Sequence, residues 1–368
     1  MLNGVKILDL SRVLAGPLCG MILGDLGADV IKVERPGSGD ESRGWGPPFD
    51  DRGESAYYLS CNRNKLGIAL SIEDASDLLI LRRLVAGADV VVDNFKRGTL
   101  ERRGIDPLDC LRQHPALIWC TITGFGADSS RLGYDYVVQA ESGWMSITGE
   151  VDGPPMKTGV ALADVLAGKD AAIAILGALT ARGLGNNRLP EQRRIFVSLA
   201  HVATAALVNV AQNSLVSGLP AKRWGNAHPN LVPYQLFWAS DRALVIAVGS
   251  DAQWRDCCRA LGLAHLADDP VLATNSGRLS HRERVVSAVS ARVSERSAVE
   301  WQVALDAQGV PCGVIRTVAE ALQGVDVSAV TGVAPSAPGT VRLPPPRLDE
   351  HRARIRDLGW GAFENRPA

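Results

Sequence analysis

"VKILDLSRVLAGPLCGMILGDLGADVIKVE" (residues 5–34) decides the fold class. VKILDL (5–10) reads as a buried strand, GPLCGMILGDLG (16–27) as a helix and ADVIKVE (28–34) as a second strand, so the chain opens on a βαβ unit. The series continues through GIALSI (67–72), the helix DASDLLILRRLVAG (74–87), ADVVVDNF (88–95) and ALIWCTITGFG (116–126). Strands alternating with helices predict an α/β fold with a parallel sheet covered on both faces. Such sheets bind ligands at the carboxyl ends of their strands, which points to the loops 11–16, 34–40 and 93–98. Glu34 ends the second strand where a ribose-binding acid of a dinucleotide enzyme would stand. SRVLAGP (11–17), however, supplies Gly16 without G-x-G-x-x-G, so that reading lacks its phosphate-hugging turn.

The 368 residues exceed one average domain, and 46% hydrophobic with 21% charged residues suits a soluble protein with a substantial core. A net charge of -1 argues against nucleic acid as a partner, since a phosphate backbone demands a basic surface. The seven cysteines are scattered without Cys-x-x-Cys pairs or Cys/His clusters, which suggests neither a zinc site nor a disulfide framework and fits a reducing, cytoplasmic compartment. No apolar block follows Met1, and the longest apolar stretch, 196–219, carries His201, Asn209, Gln212 and Asn213. It reads as a buried helix rather than a membrane span.

Further on, 165–182 is helical by its spacing of Ala, Ile and Leu, and GLGNNRLPEQRR (183–194) is a turn. A second mixed region follows, with ALVIAVG (243–249) and CGVIRT (312–317) as strands and 251–262 and 297–309 as helices. APSAPGTVRLPPPRLDEH (334–351) is Pro-rich and extended, a strap. The expected layout is a large domain over 1–195, a linker helix over 196–224, a small α/β domain over 225–328 and a returning segment over 329–368.

Asp164, ahead of the helix in GVALADVLAG (159–168), has two readings: an N-cap that accepts backbone N–H groups, or a nucleophilic carboxylate. Cations collect at strand ends: Arg35, Arg63, Lys65, Lys96, Arg97, Arg102 and Arg103. Each alone is an ordinary solvated rim charge; together they suit phosphates. Asp135 reads as a cap, Tyr134 and Tyr136 as half-buried aromatics, and His228 as a hydrogen-bonded surface residue.

In order along the chain, LDLSRVLAGPLCGMILGDLGADVIKVERPGSGD (8–40), NRNK (62–65), DNF (93–95), GFG (124–126), GYDYVVQAESGWMSITG (133–149), GVALADVLAG (159–168), GNAHPNLVPYQ (225–235) and GVPCG (309–313) closely resemble the class III CoA-transferases. The resemblance covers residues 2 to about 325. It implies a Rossmann-like large domain, a smaller domain and an interlocked, ring-like homodimer. It also implies that Asp164 is the nucleophile, attacking an acyl-CoA thioester to give a mixed anhydride and then an aspartyl-CoA thioester. Coenzyme A enters as substrate, with no tightly bound cofactor and no metal. By the same resemblance Val13 and Leu14 lie beside the pantetheine or adenine, Arg35 near phosphate, and Asn94, Phe95 and Arg102 at the nucleotide end, with Lys65 a further contact.

Two departures narrow the activity. The racemase branch of this family carries His where this chain has Tyr134, so the acid/base pair for moving an α-proton is incomplete. GNAHPNLVPYQ replaces the Gly-rich loop of formyl-CoA transferase and looks like the branch acting on dicarboxylic acids, with Asn226 and His228 placed to meet a distal carboxylate. The expected function is transfer of CoA from succinyl-CoA or a similar thioester to a carboxylic acid. The alternatives are an isomerase, or a non-catalytic acyl-CoA-binding protein, for which VSLAHV (197–202), lacking the acidic residue usual in relatives, is the one hint.

Overall fold

β1 (Lys6–Asp9) pairs in parallel with β2 (Asp29–Glu34), Ile7 opposite Val30, and on its other side with β4 (Val90–Asp93), Ile7 opposite Val90. β3 (Lys65–Ala69), β5 (Ile118–Thr123) and β6 (Arg194–Ser198) complete a six-stranded sheet of order β3-β2-β1-β4-β5-β6, parallel at every pairing. The winding reverses between β1 and β4, so the loops after these two strands open a crevice at the sheet's carboxyl edge. In this computed structural model residues 1–186 and 188–364 are described. Asn187, inside the expected turn at 183–194, and the last four residues of the expected returning segment lie outside the described residues.

Alternation along the strands feeds two cores. Ile7, Val30, Val90, Val92 and Cys120 face helices α1 (Ala15–Asp25), α5 (Leu162–Gly183) and α6 (Leu199–Ala205). Leu8, Ile31, Val91 and Trp119 face the opposite side, where α2 (Ala75–Ala86) supplies Leu81, Leu84 and Val85. Two short helices, α3 (Pro107–Gln113) and α4 (Asp135–Glu141), flank β5 in sequence. Stacking apolar side chains on both faces is what a parallel sheet needs to be stable.

This unit comprises Met1–Met145, Lys157–Leu219 and Val325–Ala368; a second unit comprises Ser146–Met156 and Pro220–Gly324. The second unit carries an antiparallel sheet of β7 (Tyr234–Trp238), β8 (Ala243–Ala247) and β9 (Cys312–Val314) over a core that includes Phe237, Leu244, Trp254 and Trp301.

The stretch 196–219 differs from its reading as one buried helix. Its start belongs to β6, the edge strand that the sequence reading missed. Ser198 then caps α6, its hydroxyl accepting the His201 N–H, and a separate helix, Val208–Ser217, follows at a 68° bend. In that second helix no residue is buried, and Leu215 and Val216 are 77% and 78% exposed. Among the described residues no single helix is long and apolar enough to cross a membrane.

The segment 334–351 is a strap without helix or strand, lying along the exposed edge of the sheet. The Ala69 N–H of β3 donates to the Asp349 carboxylate (2.7 Å) and the Gly67 N–H to His351 Nδ1 (3.1 Å). Covering an edge strand in this way satisfies its outward N–H groups and blocks further strand addition.

Candidate active site

The crevice is a cleft of about 730 Å³, within the range of small-molecule sites. Val13, Leu14, Asn94, Phe95, Tyr134 and Asp164 all line it. The loop after β1 is fixed from two sides. Asn94 accepts the Arg12 N–H with Oδ1 (3.0 Å) and donates from Nδ2 to the Arg12 carbonyl (2.8 Å), joining the loops that flank the switch point. Asp40 accepts the Val13 N–H (3.2 Å) and is itself held by the buried ammonium of Lys32 (3.0 Å). Val13 needs this hold, because its φ of 73° lies in the left-handed region that a β-branched residue avoids.

Asp164 sits in the first turn of α5, half-buried, but it does not cap the helix. The N-cap position is Ala161, which offers no side-chain acceptor. The cap comes from Asp135 instead, whose Oδ1 accepts the N–H groups of Ala163 (2.8 Å) and Asp164 (3.4 Å). Asp135 Oδ2 accepts from the amide of buried Gln139 (2.7 Å), and Gln139 Oε1 accepts the Thr158 N–H (2.9 Å), which pins the chain entering α5. Among the described residues the Asp164 carboxyl has no hydrogen-bond or ion-pair partner. Burial, and then the charge of Asp135, raise its pKa to about 7. A carboxylate freed of capping duty, poorly solvated and facing a cleft is a competent nucleophile.

Gly168, one turn further along α5, explains how the helix comes so close. A Cβ there would lie 2.6 Å from the Ala15 carbonyl oxygen at the start of α1. Without one, α5 packs directly on the start of α1, the helix that follows the strained loop at Val13 and Leu14.

The expected cationic contacts divide. Arg35, directly after β2, and Arg102, on a one-turn 3-10 helix, are exposed and outside the cleft lining. Lys65, expected as a further CoA contact, is fully buried in β3, its ammonium donating to Asp9 (2.8 Å), Asn62 (2.9 Å) and the Pro17 carbonyl (2.8 Å). Its three donors are thus used within the core, and burial lowers its pKa. Among the described residues no cluster of His, Cys, Asp or Glu is arranged for a metal ion.

In the second unit Asn226 is exposed and His228 half-buried. His228 Nδ1 accepts the Asn230 N–H (3.0 Å), which assigns the ring proton of the neutral form to Nε2. Arg282 braces this loop by donating to the carbonyls of His228 (3.0 Å) and Pro229 (2.9 Å).

Three functional features escape sequence reasoning. Asp135 is a cap, as expected, but for a helix that begins 27 residues later, and spacing cannot show that. Tyr57 lies near Asp164: burial and then the Asp164 charge push its phenol pKa up, so it stays protonated as a potential donor. Arg194 enters the cleft from β6, whose five residues are too short a run to distinguish from the preceding turn.

The family described as CoA-transferase family III matches residues 2–357. A succinate–glutarate CoA-transferase of Agrobacterium fabrum is 39% identical over 381 residues, covering 96% of this chain and 94% of that protein. The Mus musculus succinyl-CoA:glutarate CoA-transferase is 43% identical over 329 residues, 89% of this chain and 74% of that protein. The crystal structure of a CAIB/BAIF family protein from Brucella suis has a TM-score of 0.83 at 38% identity, over 96% of this chain and 98% of that one. With a matching profile over nearly its whole length and relatives this similar, the chain belongs to CoA-transferase family III.

Proposed function

We propose that the protein transfers CoA from succinyl-CoA to a second dicarboxylic acid, glutarate being the first acceptor to test, with Asp164 as the covalent catalyst. The observation that carries this reading is the half-buried Asp164 carboxyl in the lining of the cleft, unpartnered among the described residues. The carboxylate attacks the thioester carbonyl, giving an aspartyl–succinyl anhydride and CoA thiolate. The thiolate attacks the aspartyl carbonyl, forming an aspartyl-CoA thioester and releasing succinate. The incoming acid displaces the thiolate to make a second anhydride, and thiolate attack on its acyl carbonyl frees Asp164 and the new acyl-CoA. Thioester and acid exchange at little net cost overall, and the covalent route keeps the acyl group activated at every step, so the uphill formation of each anhydride is offset by the thiolate attack that consumes it. The apolar surround of α5 keeps water from the anhydride.

The dicarboxylate assignment rests on the substrates in the names of the Agrobacterium and mouse relatives. Tyr134, standing where the racemase branch has His, leaves α-proton exchange without its base. We further infer a homodimer, supported by the bare apolar side chains of the helix Val208–Ser217, and a cytoplasmic location, supported by seven free cysteines. Neither a nucleic acid nor a membrane is among the proposed partners; the net charge of -1 supports the first of these.

Incubation with succinyl-CoA and a mixture of carboxylic acids, read by mass spectrometry, is expected to yield glutaryl-CoA or a close homologue. Hydroxylamine added during turnover is expected to leave a hydroxamate on Asp164, and Asp164→Ala to abolish exchange. Full exchange by Asp164→Ala overturns the reading.

A further inference from the structure

Of the four arginines in the cleft lining, three are paired with carboxylates: Arg12 with Glu41 (2.8 Å), Arg97 with Asp128 (2.7 Å) and Arg131 with Glu141 (2.5 Å). The fourth, Arg194, is half-buried and forms no ion pair among the described residues. It donates from Nη1 to Thr121 Oγ1 (2.7 Å), and that hydroxyl donates to buried Asp93 (2.5 Å), so the carboxylate is reached only through an intermediary. The guanidinium lies 4.4 Å from the Phe196 ring centroid and 5.8 Å from that of Trp119. Among the described residues Nε and Nη2 have no protein acceptor. Asp106, also in the lining, is engaged by the N–H groups of Leu108 and Asp109; its charge and that of Glu101 are felt by Arg194, but among the described residues neither forms a hydrogen bond or ion pair with it.

A desolvated guanidinium is costly unless an anion completes it, and one held over a ring is a positioned fork for phosphate. Position selects the phosphate. Arg194 is paired with Trp119 in the sheet and its guanidinium lies over the Trp119 ring, so it stands on the sheet face opposite the one on which α5, the helix carrying Asp164, packs. Arg194 is therefore at the end remote from the reacting carboxyl. In an acyl-CoA that end is the adenosine ribose with its phosphomonoester.

We propose that Arg194, lying on Phe196 and braced by Thr121, binds the ribose phosphomonoester of coenzyme A and so distinguishes CoA from dephospho-CoA. This rests on the acyl-CoA reading above. Titration calorimetry of the full chain with CoA and with dephospho-CoA tests both levels separately. The unaltered protein is expected to favour CoA by about ten- to a hundredfold, the range of a charge-assisted pair. Arg194→Gln is expected to weaken CoA to the level of dephospho-CoA while leaving dephospho-CoA binding unchanged. Arg194→Lys, which keeps the charge and stem but not the fork, is expected to fall between. Equal weakening of both ligands in Arg194→Lys, or no change in either variant, overturns the inference while the acyl-CoA reading stands. Failure of the unaltered protein to bind either ligand overturns both.

Discussion

Asp164 and Asp135 are two carboxyls given opposite environments by one helix terminus. Asp135 faces the terminal N–H groups of α5 and accepts two of them. Asp164 accepts none, and burial together with the Asp135 charge keeps its proton on to about pH 7. Attack on a thioester requires the ionised form, so kcat/KM for acyl-CoA is expected to rise with pH through about 7 and level off above it. Asp135→Asn keeps an oxygen acceptor for the cap but removes the neighbouring negative charge. The Asp164 pKa then falls, and the rising limb of the profile moves to lower pH without returning to the ordinary carboxylate range, because burial is the larger cause. A profile that stays in place would show that the Asp135 charge is not felt.

Helix α5 carries that carboxyl to the cleft through small residues. Ala163, Ala167, Ala171 and Ala172 are buried, and Gly168 meets the backbone of Ala15 with no room for a methyl group. Gly177 in the same helix is exposed and has nothing within 4 Å of an added Cβ. The same substitution is thus expected to act in opposite directions. Gly177→Ala stabilises by about 0.5–1 kcal/mol through helix propensity. Gly168→Ala loses that gain to overpacking worth about 1–3 kcal/mol and pushes α5, with Asp164, away from the start of α1, lowering both the urea midpoint and the transfer rate. Equal urea midpoints for the two variants would refute the close approach. Periodicity marked α5, α1 and five of the six parallel strands, because buried strands and amphipathic helices are local patterns. It did not reveal β6, where Arg194 and Phe196 alternate with Ile195 and Val197 over only five residues, nor the cap by Asp135, which depends on tertiary contact. Lys65 stood among the cations because charge alone says nothing of burial; its core position follows from three acceptors lying 3 to 56 residues away.

The larger unit is closed by chain returning from far along the sequence, and Asn64 is one of the side chains that fasten it. Asn64 takes a left-handed backbone conformation (φ 63°), tolerable for Asn, just before β3. Its Oδ1 accepts the N–H groups of Arg342 (2.6 Å) and Leu343 (2.9 Å), and its Nδ2 donates to Asp25 Oδ1 (2.7 Å) and the Thr340 carbonyl (2.8 Å). A single buried amide therefore ties the strap to the end of α1 and to the edge of the sheet. Asn64→Ala strands two backbone N–H groups of the strap and adds left-handed strain; Asn64→Gly strands the same groups without the strain. An unsatisfied N–H costs up to about 1–3 kcal/mol when fully buried, and these two are partly buried, so both variants are expected to loosen the strap, with Ala the worse by about 1 kcal/mol. Limited proteolysis reads this directly, as faster cleavage between residues 334 and 351 than in the unaltered protein. Unchanged cleavage in both variants would mean that the Pro-rich segment is held by its packing on β3, where Pro346 touches Gly67, and that the amide only decorates it.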